Sequence, residues 1–123
     1  MTTRLPTHQS WIMAPRDKTD LLHGSLDLIV LRTLSVQPMH GYAITQHVAR
    51  LTDGVLSADP GSLYPALERL KRNGWITAKW QQSPTGRRAR YYAITRSGLT
   101  QLGRETNEFE RFVDAMRRVL RAT

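Results

Sequence analysis

Between Arg69 and Arg104 the sequence carries nine basic side chains, at 69, 71, 72, 79, 87, 88, 90, 96 and 104, and no acidic one. Residues 1–68 carry five basic and six acidic groups, and residues 105–123 carry four of each. The window therefore holds +9, and the remainder sums to −1. Cationic charge segregated in this way suits a polyanionic partner. Two clusters stand out: Arg69, Lys71 and Arg72 close a run of helical spacing, while Arg87, Arg88 and Arg90 lie beside Pro84 and Gly86. A guanidinium at a turn is well shaped for bidentate phosphate contact or for entry into a minor groove. Ser62 and Tyr64 carry hydroxyls of the kind that reach phosphates. Tyr64, Arg69 and Gln46 are the candidates for contact with base edges. With so few, affinity is expected to come mainly from charge.

Other chemistries find no footing. The sequence has no cysteine, which excludes disulfides and Cys-based zinc sites. His40 and His47 are seven apart with no carboxylate at ligand spacing, so no metal is expected. There is no Gly-x-Ser-x-Gly, phosphate loop or pair of carboxylates in an apolar setting, and neither an enzyme nor a cofactor is expected. No apolar run approaches the ~18 residues of a membrane span. The opening stretch, MTTRLPTHQSWIMAPRDKTD, lacks the continuous apolar core of a signal peptide. A cytoplasmic chain with no membrane partner is expected. Its 123 residues suit one domain with a small core that a partner subunit would enlarge.

The elements that must position the cations follow from periodicity. Residues 1–20 have none and read as a flexible arm, in which Trp11, Ile12 and Met13 could dock on a neighbouring subunit. GSLDLIVLRTLSVQP reads as a first helix, with Ser25 as N-cap and Leu26, Ile29, Val30 and Leu34 as its stripe. HGYAITQHVARLTDG reads as a second, with Ile44, Val48 and Leu51 on one face and Gly54 as terminator. GSLYPALERLKRNGWI reads as a third, starting near Gly61 or Ser62. That start would place Pro65 in the first turn, where its missing N–H costs little. Leu63, Leu67 and Leu70 would face the core. Ser62, Tyr64 and Arg69 would face outward from a helix N-terminus whose free N–H groups suit phosphate.

The period then changes to two. WITAKWQQ puts Ile76, Ala78 and Trp80 on one face, SPTGRRA is a turn, and RYYAIT alternates again, which together predict a β-hairpin. Trp75 and Trp80 are read as packing residues rather than ligand stackers. In the last segment Leu99, Leu102, Thr106, Phe109, Val113, Met116 and Leu120 are spaced 3-4-3-4-3-4, a heptad seam thickened by Phe112 and Val119. Glu105, Glu108, Glu110 and Arg111 take its outer faces, and Thr95 can cap it. Such a seam could cover its own domain, but its length favours dimerisation.

Three helices, a basic hairpin and a long helix make a mainly α fold: a winged helix-turn-helix (residues 21–96) followed by a dimerisation helix (97–123). In that fold the third helix enters the major groove and the hairpin, or wing, reaches the flanking backbone.

HGYAITQHV, GSLYPALERLKRNGWI and GRRARYYAITRSGLTQL resemble the PadR family of bacterial transcriptional regulators. The family pattern has a Gly-Tyr pair opening the second helix, a Gly-Ser/Thr-Leu-Tyr-Pro block, and a wing ending Tyr-x-Leu-Thr-x-x-Gly. Gly41-Tyr42, Gly61 to Leu70 and Tyr92 to Gly98 match it, with Ile94 for the usual Leu. The resemblance covers roughly residues 22–122 and is to the short-tailed branch, with one C-terminal helix. It implies a homodimeric repressor; members of the family often respond to a small aromatic or drug-like inducer, and the last helix carries Phe109 and Phe112 but no Trp for such a site. The DNA-binding residues expected are Tyr42, Gln46, Ser62, Tyr64, Pro65, Arg69, Lys71, Arg72, Arg87, Arg88 and Arg90. Leu99, Leu102, Phe109, Phe112, Val113, Met116 and Leu120 are expected at the dimer seam. A winged helix used for protein interaction, or a ligand sensor without direct DNA reading, is the alternative.

Overall fold

The computed structural model describes residues 18–122. The arm residues Trp11, Ile12 and Met13 lie outside them. Helix α1 spans Lys18–Val36, strand β1 Met39–His40, helix α2 Gly41–Leu51 and helix α3 Pro60–Arg72. Strands β2 (Ile76–Gln82) and β3 (Arg88–Ile94) follow, and helix α4 spans Arg96–Arg121. Ser25 is not the N-cap of α1: the helix runs from Lys18, and Ser25 lies inside it.

The three helices and the sheet meet at one core. It is built from Leu26, Val30, Leu31 and Leu34 of α1, Ile44 of α2, and Leu63, Ala66, Leu67 and Leu70 of α3. Met39, Ile76, Tyr92 and Leu102 close it from the strands and α4. The expected hairpin has gained a third strand, in the order β1-β3-β2, all antiparallel. Two residues sufficed for β1: Met39 pairs with Tyr92 and His40 with Tyr91. So short a segment carries no period that a sequence pattern could reveal.

Helix ends fix the angles. The positive φ after α2 falls first on Asp53, at 50°, and then on Gly54, at 80°. Asp53 and Gly54 donate back to Arg50 and Ala49, the two bonds of a Schellman close, with Asp tolerating the left-handed position. After α3 the same motif uses Gly74, at φ 77°: its N–H reaches the Lys71 carbonyl and that of Trp75 the Leu70 carbonyl, at 2.9 and 3.0 Å. Helix α3 starts earlier than the sequence reading, at Pro60, with Asp59 as N-cap. Pro65 therefore lies inside the helix rather than in its first turn. Its missing N–H strands the carbonyl of Gly61, which is exposed and open to water.

The start of α4 is bound to that same close. Thr95 caps α4 by accepting from the Gly98 N–H at 3.0 Å, as expected, and its hydroxyl donates to the Gly74 carbonyl at 2.7 Å. The Thr95 N–H donates to the Trp75 carbonyl at 3.0 Å. Gly98 is buried, and a Cβ there would meet the Trp75 carbonyl group, its carbon 3.0 Å away. The nearest atoms belong to the Trp75 backbone, which cannot swing aside, and Ile94 Cγ1 crowds the same space at 2.7 Å. We expect Gly98→Ala to destabilise the fold by about 1–3 kcal/mol, the range for overpacking. Thr95→Ala should cost about 1 kcal/mol. Urea titration followed by circular dichroism, at one protein concentration, measures both.

Candidate nucleic-acid interface

The N-terminus of α2, the outer face of α3 and the hairpin enclose a cleft of about 960 Å³. Tyr42, Gln46, Tyr64, Glu68, Trp80, Arg88 and Arg90 are among its lining residues. Tyr42 is exposed, and its hydroxyl accepts from Gln46 Nε2 at 3.0 Å, one helical turn on. His40 caps α2: its Nδ1 accepts from the Ala43 N–H at 3.1 Å. Its ring meets Tyr91 edge-on, with centroids 5.2 Å apart. Among the described residues no three His, Cys, Asp or Glu side chains are grouped as a metal site.

Tyr64 is 45% exposed, as expected for a residue one place off the leucine stripe. The rest of its ring lies over Gly41, where a Cβ would sit 2.8 Å from Tyr64 Cζ. The glycine of the Gly-Tyr pair thus makes room for the tyrosine of the Leu-Tyr-Pro block. Pro65, next to Tyr64, and Arg72, about two turns further along α3, are exposed, but neither lines the cleft.

Three expectations for α3 are corrected. Ser62 is buried rather than turned outward, because it stands one turn before the buried Ala66 on the same side of the helix. The helix N-terminus is not free for phosphate: Asp59 Oδ1 already accepts from the Ser62 N–H at 3.0 Å. Arg69 does not lie along the outer face but pairs with Asp27 of α1. It stands on the edge of α3 that meets α1, and an acid waits there.

The side chain that the sequence reading missed is Glu68. The acid-free window begins one residue after it. Glu68 lies one turn beyond Tyr64 and takes both Lys71, at 3.3 Å, and Arg90 of the hairpin, at 3.4 Å. The i,i+3 spacing to Lys71 was the available signal. Both pairs are partly exposed, a setting in which an ion pair contributes about 0–1 kcal/mol.

The wing presents its cations on a stiff frame. Ser83 N–H donates to the Arg87 carbonyl at 2.7 Å, Gly86 N–H to the Ser83 carbonyl at 2.9 Å, and Gly86 takes φ 89°. Gln82 Nε2 donates to the Gly86 carbonyl at 3.0 Å. Trp80 opposes Arg90 across the strands and Gln82 opposes Arg88. Trp80 is exposed rather than packed into the core, and the Arg88 guanidinium lies 5.3 Å from its ring centroid. Trp75 is partly buried against the core, as expected. Arg90 lies 5.9 Å from the Tyr92 centroid. Burial pushes the Tyr92 phenol above its usual pKa, Arg90 opposes that, and Glu68 and Tyr64 reinforce it. Arg87 is exposed at the tip.

A family model described as the transcriptional regulator PadR-like family matches residues 30–104. The chain belongs to the PadR-like family. The match takes in the whole cleft and the first turns of α4. The chain is 30% identical over 88 residues to the transcriptional regulator YqjI of Escherichia coli K12, covering 72% of this chain and 41% of that protein. It therefore spans less than half of that relative. A solved transcriptional regulator from Clostridium thermocellum is 27% identical, with a TM-score of 0.74, over 80% of this chain and 96% of that one. A PadR-like transcriptional regulator from Bacillus cereus is 25% identical, with a TM-score of 0.73, over 84% and 98%. The winged helix with a long C-terminal helix is thus the PadR-like fold. Among the described residues no helix is long and apolar enough to cross a membrane.

The second candidate surface is α4. Leu102 is buried in the chain's own core, which removes it from the expected seam. At that point α4 still lies against α1. Leu99, Phe109, Phe112, Met116, Val119 and Leu120 are exposed. Val113 is half-buried, facing with Phe109 a groove of about 910 Å³ against α1 and α2.

The Tyr64–Gly41 contact makes a separable prediction. Gly41→Ala should push the movable end of the Tyr64 ring into the cleft. We expect a stability loss of about 1 kcal/mol or less, but clearly weaker DNA binding in a fluorescence titration. Tyr64→Ala should keep its circular dichroism spectrum and lose binding. Unfolding of either variant would make the contact a core contact.

Proposed function

We propose that the chain is a homodimeric repressor that binds palindromic operator DNA, each subunit placing α3 in a major groove and the wing along the flanking backbone. The observation that carries this reading is the arrangement around the cleft. Tyr64, Pro65 and Arg72 on α3 and Arg87 and Arg88 on the wing all stand exposed, on a scaffold whose ends are hydrogen-bonded. Phosphates take such cations without displacing any core contact. Arg90 and Lys71 need only exchange a weak pairing with Glu68 for a phosphate. Membership of a family of transcriptional regulators supports the same reading. Adjacent guanidinium groups at the wing tip suit bidentate contact with phosphate.

The dimer is proposed along the distal half of α4, where Phe112, Met116, Val119 and Leu120 are exposed beyond the chain's own core. A partner's α4 would cover them and hold the two α3 helices for half-sites about 34 Å apart. A small aromatic or drug-like inducer is the second reading. The groove lined by Leu28, Ile29, Val48, Leu56 and Phe109 favours it, being apolar and next to the proposed dimer helix. Phe112, which the family resemblance also brought forward, is not among its lining residues.

Selection of bound duplexes from a random pool tests the reading, returning half-site and spacing together. In a salt titration, Arg87→Ala with Arg88→Ala should weaken binding to all duplexes and flatten log K against log salt by about 2, roughly one for each phosphate that is no longer neutralised. An unchanged slope would remove the wing from the interface. Phe112→Glu with Met116→Glu alters only exposed positions, so the fold should persist while sedimentation reports a monomer. A persistent dimer would move the interface off α4.

A further inference from the structure

Glu68 lies in the middle of a surface built for phosphate, and that position asks for a reason. Among the residues lining the cleft it alone is acidic. It shares the outer face of α3 with Tyr64, four residues before it, and Lys71, three after. It is partly exposed and open to the cleft, paired with Lys71 and Arg90 at 3.3 and 3.4 Å. Phosphates on the duplex would draw both cations away, since exposed pairs of this kind are weak. Glu68 would then face the groove with no protein counter-ion.

An ionised carboxylate only accepts hydrogen bonds. Most of what DNA offers also accepts: phosphate oxygens, guanine N7 and O6, adenine N7 and thymine O4. Two amines donate in the major groove, cytosine N4 and adenine N6. Adenine N6 is flanked by its own N7 acceptor, which would repel the second carboxylate oxygen; cytosine N4 has no such neighbour on its base. We propose that Glu68 is the base-selecting residue of the interface, accepting from the N4 amine of a cytosine while Lys71 and Arg90 turn to flanking phosphates. The assignment rests on the DNA-binding reading above. It also gives Glu68 a second effect: registers that set it against an acceptor are penalised, so it lowers indiscriminate binding as it sharpens the specific site.

The test uses the full chain and the duplex it selects from a random pool. With the wild type, replacing one C·G pair in each half-site should weaken binding roughly five- to hundred-fold. Glu68→Ala should lose that discrimination and bind random duplexes more tightly, with Lys71 and Arg90 released. Glu68→Gln should shift preference at that position toward adenine, whose N6 and N7 a carboxamide matches. Circular dichroism checks that both variants fold. If both keep the wild-type preference at every position, the Glu68 assignment is overturned and DNA binding stands. If the wild type ignores DNA even at low salt, the DNA-binding reading falls, and the assignment with it.

Discussion

The structure depends most on one close approach, that of the first turn of α4 to the carbonyl of Trp75. Only a residue without a Cβ fits at Gly98. Around that contact Thr95 bonds the Gly74 and Trp75 carbonyls and caps α4 at the same time. The carbonyls concerned belong to the chain that has just left α3 by its Schellman close. Three elements, α3, the first wing strand and the long helix, are therefore joined within a few residues of backbone hydrogen bonding. No long side chain intervenes, so the joint has little rotamer freedom to give.

The interface shows a second economy, in charge. A surface of cations alone would bind any polyanion and repel itself. Here Arg69 is drawn to Asp27, while Lys71 and Arg90 share Glu68. Arg72, Arg87 and Arg88 are left exposed, with Arg88 resting on Trp80. The pairings differ in what they leave open. Arg69 lies on the flank of α3 against α1, so its pairing orders two helices. Glu68 and Arg90 line the cleft, and both of the Glu68 pairings are partly exposed, so theirs can be exchanged. The same residue type at neighbouring positions thus does different work according to which element supplies its partner.

That distinction explains what the sequence could and could not reveal. Periodicity located the core correctly, because Leu63, Leu67, Leu70, Ile76 and Tyr92 repeat at the spacing of their element and burial follows spacing. The wing was legible because Pro84 and Gly86 separate two alternating runs. The Thr95 cap was legible because capping is local. The errors lie where a neighbour from far along the chain decides. Arg69 looked outward until Asp27, 42 residues away, took it. Strand β1 exists only because β3 offers an edge to Met39 and His40. Leu102 fits the heptad spacing as well as Leu99 does, yet the core claims one and leaves the other exposed. Ser62 is buried on the side of α3 that carries Ala66, which the core claims. Glu68 was overlooked because a count of charge along the chain ended one residue short of it, while the cleft gathers charge in space.

The rigid joint and the exposed stripe together constrain how a dimer could be tuned. From Gly98 to Met116 is eighteen residues of helix, about 27 Å. With two copies crossing near Met116, rotating one α4 by 5° would carry its Gly98 end through roughly 2 Å. The firm contact at Trp75 would pass that displacement to α3 nearly undiminished. Base pairs follow one another at about 3.4 Å along the duplex, so a few degrees of crossing angle amounts to most of a base step. A soft joint at Gly98 would absorb such a change before it reached α3. In the proposed dimer a stiff joint would make the separation of the two clefts a direct function of how the α4 helices pack. Anything that entered the groove beside Phe109 and altered that packing would act on DNA affinity through geometry alone, without touching the interface.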